Sequence, residues 1–159
     1  MANQTEERSL IILKPDCVQR GLLGQIIERF ERKGLKIIGL KMDNLQDVLI
    51  EEHYGHLKDK PFFAGIKRFM KSSPVVLMVV AGFKAIEAVR IIVGPTKGYI
   101  APAGSIRGDF SMSTQTNIVH ASDTPENAMA EVKRFFKDSE LFDYNRMDYE
   151  YIYGEDERA

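Results

Sequence analysis

Residues 74–81 read Pro-Val-Val-Leu-Met-Val-Val-Ala, and the run is unbroken in its apolar character from Val75 to Ala81. Branched side chains dominate it, and a strand that is apolar at every position has both faces covered by protein. The run is also far too short for a membrane span, which takes about 20 apolar residues. It therefore predicts a central strand of a sheet, in a protein that does not enter a membrane.

Two more strands are predicted before this run. Ser9 to Leu13 (SLIIL) is apolar and stopped by Lys14-Pro15-Asp16, whereas Leu35 to Met42 (LKIIGLKM) alternates loosely. Between them, apolar residues recur at three- and four-residue spacing and predict an amphipathic helix that ends at Gly34. The apolar face of this helix consists of Leu23, Ile26, Ile27 and Phe30.

Further helices are predicted along the rest of the chain. Asp47 to Tyr54 forms a short one, and Pro61 at a first helical position opens the next. Lys84 to Val93 follows the central strand, and another helix starts at Thr124. The inward residues of the last three are Phe62, Phe63, Ile66, Phe69 and Met70; Ile86, Val89 and Val93; and Ala128, Val132, Phe135 and Phe136.

Residues 94–116 show no sustained helical or strand periodicity. The first half of this segment is rich in glycine and proline. A loop of this length inside a compact domain is usually functional. A short apolar run that ends at His120 follows and predicts the fourth strand. The order strand, helix, strand, helices, strand, helix, strand, helix predicts an α+β sandwich of ferredoxin-like topology, with helices packed on a four-stranded antiparallel sheet.

The composition is that of an ordinary globular protein. Of 159 residues, 44% are hydrophobic and 28% are charged, and the formal net charge is −1. No basic excess indicates nucleic acid or an anionic membrane as a partner. Cys17 is the only cysteine, and the N-terminus has neither the basic start nor the apolar core of a signal peptide. We therefore expect one domain over residues 1–159, located in the cytoplasm.

His120 stands between the fourth strand and the next helix start. Glu131 comes about two turns into that helix, so it can face the imidazole and fix its tautomer if the helix packs back on the strand. The helix N-terminus and Arg107 would suit an incoming anion. His120 could act as nucleophile or as base; the first is favoured, because a Ser–His–acid hydrolase needs a Gly-x-Ser-x-Gly elbow that the sequence lacks.

The other polar candidates are ambiguous when each is taken alone. Lys14 is either a solvated strand end or a point charge for a phosphate, and Arg107 is either a phosphate-binding fork or a surface arginine. The position of Arg90 late in a helix is also explained by the helix dipole. His53 and His56 have a spacing that can bind metal on a helix, but two histidines without a nearby carboxylate triad make a weak site, and we interpret them as solvated. No Walker loop or Gly-x-Gly-x-x-Gly motif is present.

Several stretches resemble the nucleoside diphosphate kinase family. ERSLIILKPDCVQRGLLGQIIERFERKG, residues 7–34, is similar to its opening strand and helix, and EEHYGHLKDKPFF, residues 51–63, to its nucleotide-binding helical pair. SIRGDF and NIVHASD, at 105–110 and 117–123, are similar to its loop and its active-site histidine signature. The resemblance runs from Arg8 to about Tyr153.

The resemblance implies a role for each candidate residue. It makes His120 the phosphate-accepting nucleophile and Glu131 the acid that orients it, while Ser122 supports the histidine and Phe62 stacks on the base. Magnesium is implied as a nucleotide-borne ion that Asp123 contacts through water. Contacts with the phosphates, the sugar hydroxyls or the surroundings of the histidine are implied for Lys14, Tyr54, Arg90, Thr96, Arg107 and Asn117.

The implied activity is reversible transfer of the γ-phosphate from a nucleoside triphosphate to a nucleoside diphosphate, by a ping-pong route through a phosphohistidine. The aromatic tail after Lys137 and the long loop imply a homohexamer, with a tetramer as the alternative, and the tail packs on its own domain or on a neighbouring subunit. Two other classes stay open: a catalytically idle nucleotide-binding relative, and an interaction or nucleic-acid-binding protein. The intact His120, Lys14 and Glu131 argue against the first, and nucleic acid is not expected as a partner.

Overall fold

The computed structural model describes residues 6–158. Its strands are β1 (Glu6–Leu13), β2 (Lys36–Asp43), β3 (Val75–Phe83) and β4 (Val119–Ala121). They form one sheet in the order β2-β3-β1-β4, and every neighbouring pair is antiparallel. The prediction of a central strand at residues 74–81 is confirmed, because β3 has a neighbouring strand on each side.

Helices connect these strands and follow the last one. Within residues 6–158 the α-helices are α1 (Pro15–Gln19), α2 (Leu23–Arg32), α3 (Asp47–His53), α4 (Phe63–Met70), α5 (Ala85–Val93), α6 (Ile106–Phe110), α7 (Pro125–Phe135) and α8 (Tyr149–Ile152). With α2 and α5 as crossing helices, the order is that of a ferredoxin-like sandwich, so the predicted fold class is confirmed. In the described part of the chain, no helix has the length and apolar character needed to cross a membrane.

Both faces of the sheet are buried, and the alternation of side chains along β1 and β3 divides the core in two. On one face, Ile11 and Met78 lie in a cluster with side chains of α2 and α5. On the other, Leu10 and Leu77 lie with side chains of α3, α4 and α7. The two central strands are therefore held from both sides and form a rigid base for residues at their ends.

The end of β1 and the short strand β4 bring distant polar residues together. His120 pairs with Ile12 in the ladder, close to the end of β1. Lys14 follows β1 directly, and its backbone N–H donates to the carbonyl of Ile118 (2.8 Å). Helix α7 packs back against β1, which is the arrangement that an interaction between Glu131 and His120 requires.

The predicted start of the fourth helix at Pro61 is wrong by two residues. Helix α4 starts at Phe63, and the N–H of Phe63 donates to the carbonyl of Lys60 (3.0 Å). Pro61 therefore lies inside a turn that precedes the helix, a position that its fixed φ also suits.

Residues 94–116 are not a loop throughout. They contain a 3₁₀ helix at Gly98–Ile100 and the short helix α6. The side-chain oxygen of Ser105 accepts a hydrogen bond from the N–H of Gly108 (3.0 Å) and caps α6. This capping residue was a helix-start signal in the sequence, but the surrounding glycines and prolines concealed it.

The C-terminal tail packs in part on its own chain. The N–H of Phe142 donates to the carbonyl of Ile38 (2.7 Å), and the hydroxyl of Tyr144 donates to that of Ile37 (2.8 Å). These contacts cover the free edge of β2. Tyr151, in contrast, is 91% exposed, so the tail also presents apolar surface outward.

Candidate active site

A cavity of about 840 Å³ opens where the ends of β1 and β4 meet α3, α4 and the 94–116 segment. Ser122 lies behind its wall and is fully buried. The other predicted site residues all line the cavity: Lys14, Tyr54, Phe62, Arg90, Thr96, Arg107, Asn117, His120, Asp123 and Glu131. Residues that are far apart in the sequence thus converge on one space, which we call the histidine cavity.

The imidazole of His120 is held by a carboxylate from α7. Both carboxylate oxygens of Glu131 lie 3.2 Å from Nε2 of His120. The hydroxyl of Ser122 donates to Glu131 Oε2 (2.5 Å) and accepts from the N–H of Leu10 (3.0 Å), so the carboxylate is itself fixed to β1. A carboxylate only accepts, which assigns the proton to Nε2 and leaves the lone pair on Nδ1, a nitrogen with no hydrogen-bond partner among residues 6–158.

Burial keeps this imidazole neutral. The pKa of His120 is lowered by burial, against the opposing effect of Glu131, and further by the charges of Lys14 and Arg107. Burial alone would raise the pKa of Glu131, but its bonds with His120 and Ser122 lower it overall. Near neutral pH the pair therefore consists of a neutral imidazole and a carboxylate.

Lys14 is a buried cation with a neutral partner. Its Nζ donates to Oδ1 of Asn117 (2.7 Å). Burial, and then the charge of Arg107, lowers the pKa of Lys14 to about 8. A lysine held this way stays charged near neutral pH and has unneutralised charge for an anion in the cavity.

Arg107 fits neither of its two sequence interpretations alone. It is buried, and its Nε, Nη1 and Nη2 donate to the carbonyls of Asn117 (3.3 Å), Gly94 (2.9 Å) and Val119 (2.6 Å). Burial, and then the charge of Arg90, lowers its pKa to about 10, which leaves it charged. It therefore fixes the backbone before His120, while two of the five N–H groups of a guanidinium remain outside these three bonds.

The backbone that Arg107 holds is strained. Ile118 has φ of 72°, a conformation that β-branched residues rarely adopt, and Val119 N–H donates to the carbonyl of Asn117 (2.8 Å) to close a γ-turn around it. The N–H of Ile118 donates to Oδ2 of the buried Asp16 (2.9 Å). Sequence reasoning missed Asp16, and no local pattern marks it, because its partner lies 102 residues away.

The outer wall of the cavity is partly apolar. Phe62 is 39% exposed and stands with Leu57 at the mouth. Tyr54 lies deeper, and its pKa is raised by burial and then by the charge of Glu131, so its hydroxyl stays protonated. A flat exposed ring beside a polar interior suits a ligand with an aromatic end and an anionic end.

Exposed polar residues complete the rim. Arg90 and Thr96 line the cavity, and Asn117 Nδ2 donates to the carbonyl of Thr96 (3.0 Å). Asn127 Nδ2 donates to Oδ1 of Asp123 (2.7 Å), and this bond is the main reason that the pKa of Asp123 is lowered. Asp123 thus supplies a carboxylate at a rim that otherwise has cations.

His53 contradicts its sequence interpretation. It is 7% exposed, and its ring meets the ring of His120 edge to face, with centroids 4.5 Å apart. Ile50 precedes it by one helical turn and is fully buried, so the helical period already placed His53 on the inward face of α3. His56 is exposed, as predicted.

One group among the described residues is close enough to hold a metal: His53, His120 and Glu131 have ligand atoms within 4.8 Å of one another. However, Nη1 of Arg134 lies 3.3 Å from Nδ1 of His53 and occupies its lone pair. Magnesium prefers oxygen ligands, so this nitrogen-rich group does not suit it. Among the cavity residues, Asp123 offers a carboxylate of the type that a nucleotide-borne magnesium ion takes.

The fold and the cavity define a class of protein. A neutral nitrogen nucleophile, backed by a carboxylate and surrounded by cations, can attack an electrophile that carries several negative charges. On an α+β sandwich of ferredoxin-like topology, this is the arrangement of a group-transfer protein with an anionic substrate.

Comparisons with known proteins agree with this class. The family model described as nucleoside diphosphate kinase matches residues 7–141. The nucleoside diphosphate kinase of Parabacteroides distasonis is 54% identical over 151 residues, which cover 95% of this chain and 99% of that protein. The chain belongs to the nucleoside diphosphate kinase family.

Solved structures of relatives share the fold. A nucleoside diphosphate kinase of Halobacterium salinarum in complex with CDP has a TM-score of 0.91 and 40% identity, over 94% of this chain and 99% of that one. A transition-state mimic of the Borrelia burgdorferi nucleoside-diphosphate kinase with bound vanadate and ADP has a TM-score of 0.86 and 35% identity, over 92% of this chain and 96% of that one.

Proposed function

We propose that this protein is a nucleoside diphosphate kinase that carries the transferred phosphoryl group on Nδ1 of His120. The observation that carries the proposal is the bond between both carboxylate oxygens of Glu131 and Nε2, which leaves Nδ1 as the free lone pair in a cavity with cations. Family membership and the nucleotides bound to the two structural relatives support a nucleotide as the substrate.

In the first half-reaction, the lone pair on Nδ1 attacks the γ-phosphorus of a nucleoside triphosphate. The N–P bond forms, the bond to the β,γ-bridging oxygen breaks, and the nucleoside diphosphate leaves with that electron pair. The imidazole becomes positive as it gives up electron density, and Glu131 at 3.2 Å from Nε2 stabilises this charge. A second nucleoside diphosphate then reverses these steps, so donor and acceptor use one site in turn.

Cations of the cavity stabilise the charge on the phosphates. Lys14 and Arg90 present charge to the cavity, and Arg107 combines this role with holding the backbone before His120. Magnesium bound to the nucleotide would neutralise phosphate oxygens, with Asp123 as the residue that would hold it. Asn117, Thr96 and Tyr54 bind the sugar and the phosphates from the sides.

Phosphate labelling tests the proposal. Protein mixed with magnesium and γ-labelled ATP, without an acceptor, should take up an acid-labile and alkali-stable label, and GDP should then convert the label to GTP. His120→Ala should abolish labelling and leave nucleotide binding largely intact, because Phe62, Lys14 and the arginines remain. His53→Phe and His56→Ala should still be labelled. Transfer at the parent rate by His120→Ala would refute the mechanism.

The assembly that we propose is a homohexamer in the cytoplasm, built from chains that each form one catalytic domain. Exposed apolar side chains in the tail and the long loop support it, notably Met147 (97% exposed), Tyr151 (91%) and Met112 (83%). Light scattering should give a mass about six times the 18.1 kDa of the chain. A mass of one chain would exclude the hexamer, and a mass of four would favour the tetramer.

A further inference from the structure

The histidine cavity contains a second imidazole that the proposed reaction does not use. His53, at the end of α3, is 7% exposed and contacts the ring of His120 edge to face at 4.5 Å, with 85° between the planes. Its Nδ1 lies 3.8 Å from Oε1 of Glu131. The same oxygen lies 3.2 Å from Nε2 of His120. Two imidazoles therefore stand beside one carboxylate.

This arrangement creates a competition. A protonated His53 would attract Glu131 as strongly as His120 does, since both rings would offer an N–H to the same oxygen. Glu131 would then turn toward His53, and the Nε2 proton of His120 would lose its acceptor. The reacting imidazole would have neither a fixed tautomer nor a partner for the charge that develops on it.

Arg134 lies where it prevents this competition. It is on α7, one turn after Glu131, and its Nη1 is 3.3 Å from Nδ1 of His53. A guanidinium only donates hydrogen bonds, so Nδ1 must be the acceptor, and His53 must carry its proton on Nε2. The Nε of Arg134 is 2.9 Å from Oε1 of Glu52, so an opposite charge lies beside the guanidinium, although the two atoms do not have hydrogen-bond geometry.

We propose that Arg134 and His53 form a positioning pair that reserves Glu131 for His120. Arg134 keeps the Nδ1 lone pair of His53 occupied, and the neutral ring of His53 then packs against His120 without competing for its carboxylate. The inference rests on the proposed function, because it assigns the carboxylate to a histidine that receives a phosphoryl group. It adds two residues, Arg134 and His53, that act on the reaction through Glu131.

The charges around His53 agree with a neutral ring. Its pKa is lowered to about 3, mainly by burial and then by His120, with Arg134 and His56 acting in the same direction. Glu131 opposes them and favours the charged form. The rings of Tyr54 and Phe135 enclose the remaining edges, at 4.6 and 5.2 Å between centroids, and bring no charge. Of the groups that lower this pKa, Arg134 is the one whose side chain contacts Nδ1 of His53.

Two substitutions of Arg134 should raise the pKa of His53 to different extents. Arg134→Gln removes the charge, and Arg134→Glu reverses it and places a carboxylate beside Nδ1. The ring-proton NMR signals of His53 are assigned by their loss in His53→Phe. Their titration is followed from pH 4 to 8. In this range the parent's His53, with a pKa of about 3, should stay neutral. We expect this pKa to rise by about one unit in Arg134→Gln and by about two or more in Arg134→Glu, which brings the titration of His53 in Arg134→Glu into the measured range. An unchanged His53 titration in Arg134→Glu would overturn the proposal.

Single-turnover phosphorylation supplies the second readout. At pH 8, where His53 is neutral in every variant, rates should stay within about threefold of the parent. At pH 5, where a His53 whose pKa has risen to about 5 is half charged, the ratio of variant to parent should fall by about twofold from its value at pH 8 in Arg134→Glu and less in Arg134→Gln, because charged His53 then takes the carboxylate. A ratio that does not change with pH would also overturn the proposal.

Rescue separates positioning from a general structural loss. In a His53→Phe background the ring at position 53 cannot be protonated, so Arg134→Glu should lose its extra dependence on pH. The matched control is Lys133→Gln, which removes one positive charge from an exposed position of the same helix and should change neither readout. The NMR titration needs no phosphoryl transfer, so an unlabelled parent would refute the proposed function and leave this arm to decide the pairing of Arg134 and His53.

Discussion

Two concave regions of the molecule, the histidine cavity and a cleft under the C-terminal tail, use charged side chains in opposite ways. In the tail cleft, which has a volume of about 570 Å³, Lys36 contacts Glu6 and Asp143 at 3.1 Å each. Arg146 there pairs with Asp148 at 2.5 Å. These cations are neutralised by carboxylates of the same chain.

The cations of the histidine cavity are not neutralised in this way. Lys14 donates to an amide oxygen, and Arg107 donates to backbone carbonyls. The guanidinium of Arg90 forms no hydrogen bond or salt bridge with residues 6–158, although it is close enough to Asp123 to lower the pKa of that carboxyl. A cavity whose cations have neutral partners attracts an anion, whereas a cleft of closed ion pairs holds a segment of chain in place. The volume of a cavity alone does not separate the two.

The largest expected effect tests this difference directly with two lysines. Lys14→Gln should lower kcat/KM by about two orders of magnitude, because a cation facing the transferred phosphate is lost. Its unfolding free energy should not fall, since a buried, incompletely paired cation is costly to the fold. Lys36→Gln should leave kcat/KM unchanged and lower the unfolding free energy by about 1 kcal/mol. Equal kinetic losses in both variants would break the comparison.

Alkaline pH should reproduce part of the Lys14 loss. The pKa of Lys14 is about 8 in the fold and 10.5 in the unfolded chain, so kcat/KM should fall as pH rises above about 8. Stability should change in the opposite sense. Between pH 8 and 10.5, Lys14 is protonated in the unfolded chain but not in the folded one, so the unfolding free energy rises with pH. Lys14 contributes up to about 3 kcal/mol to this rise. Lys14→Gln should lack both changes. A pH–rate profile and denaturant unfolding at pH 7 to 10 check them.

Substitutions of two carboxylates, one in the histidine cavity and one in the tail, should differ less in their effect on phosphorylation. Glu131→Gln should slow labelling of His120 by about tenfold without abolishing it, because the acid orients the ring but does not receive the phosphate. The matched change is Glu140→Gln, which opens the 2.9 Å ion pair between Lys41 and the start of the tail. That variant should be labelled at the parent rate. Rapid-quench labelling compares them, and a labelling rate of Glu131→Gln equal to that of the parent would remove the orienting role.

Substitutions of two exposed aromatic rings, Phe62 in the histidine cavity and Phe142 in the tail, should give the smallest difference, which is one of KM. Stacking on Phe62 reads no base edge, so ADP, GDP, CDP and UDP should all accept phosphate, with rates within about two orders of magnitude. Phe62→Ala should raise KM by about tenfold for all four. Phe142→Ala in the tail, where the ring is 65% exposed, should not change KM. A strict preference for one base would indicate a polar contact that the cavity residues named above do not provide.

Much of the fold followed from periodicity that a reader can see in the sequence. The apolar run at 74–81 is the central strand β3, and the spacing of Ile26 and Phe30 on α2 marks the face that is buried. The errors lie where local signals are weak. Pro61 suits a turn as well as a first helical position, and Ser105 caps a helix inside a segment dominated by glycine and proline.

The candidate site was predicted in a different way. The motif around His120 carries a family signature, so its residues could be named before their geometry was known. Arg107 lines the cavity, but its bonds to three carbonyls were not predictable, because backbone groups leave no mark in the sequence. His53 was placed on the surface, although the period of α3 already turned it inward.

By itself the sequence determined which strands and helices form and which of their faces are apolar, since these depend on neighbours within one or two turns. The tertiary structure alone decided the contacts that make the site work. Asp16 reaches the strained backbone of Ile118 across 102 residues, and Arg134 reaches His53 across 81. Such pairs have no period and no motif. They form because packing of the two sheet faces brings the ends of β1, β4, α3 and α7 to one cavity, where a buried charge must find a partner.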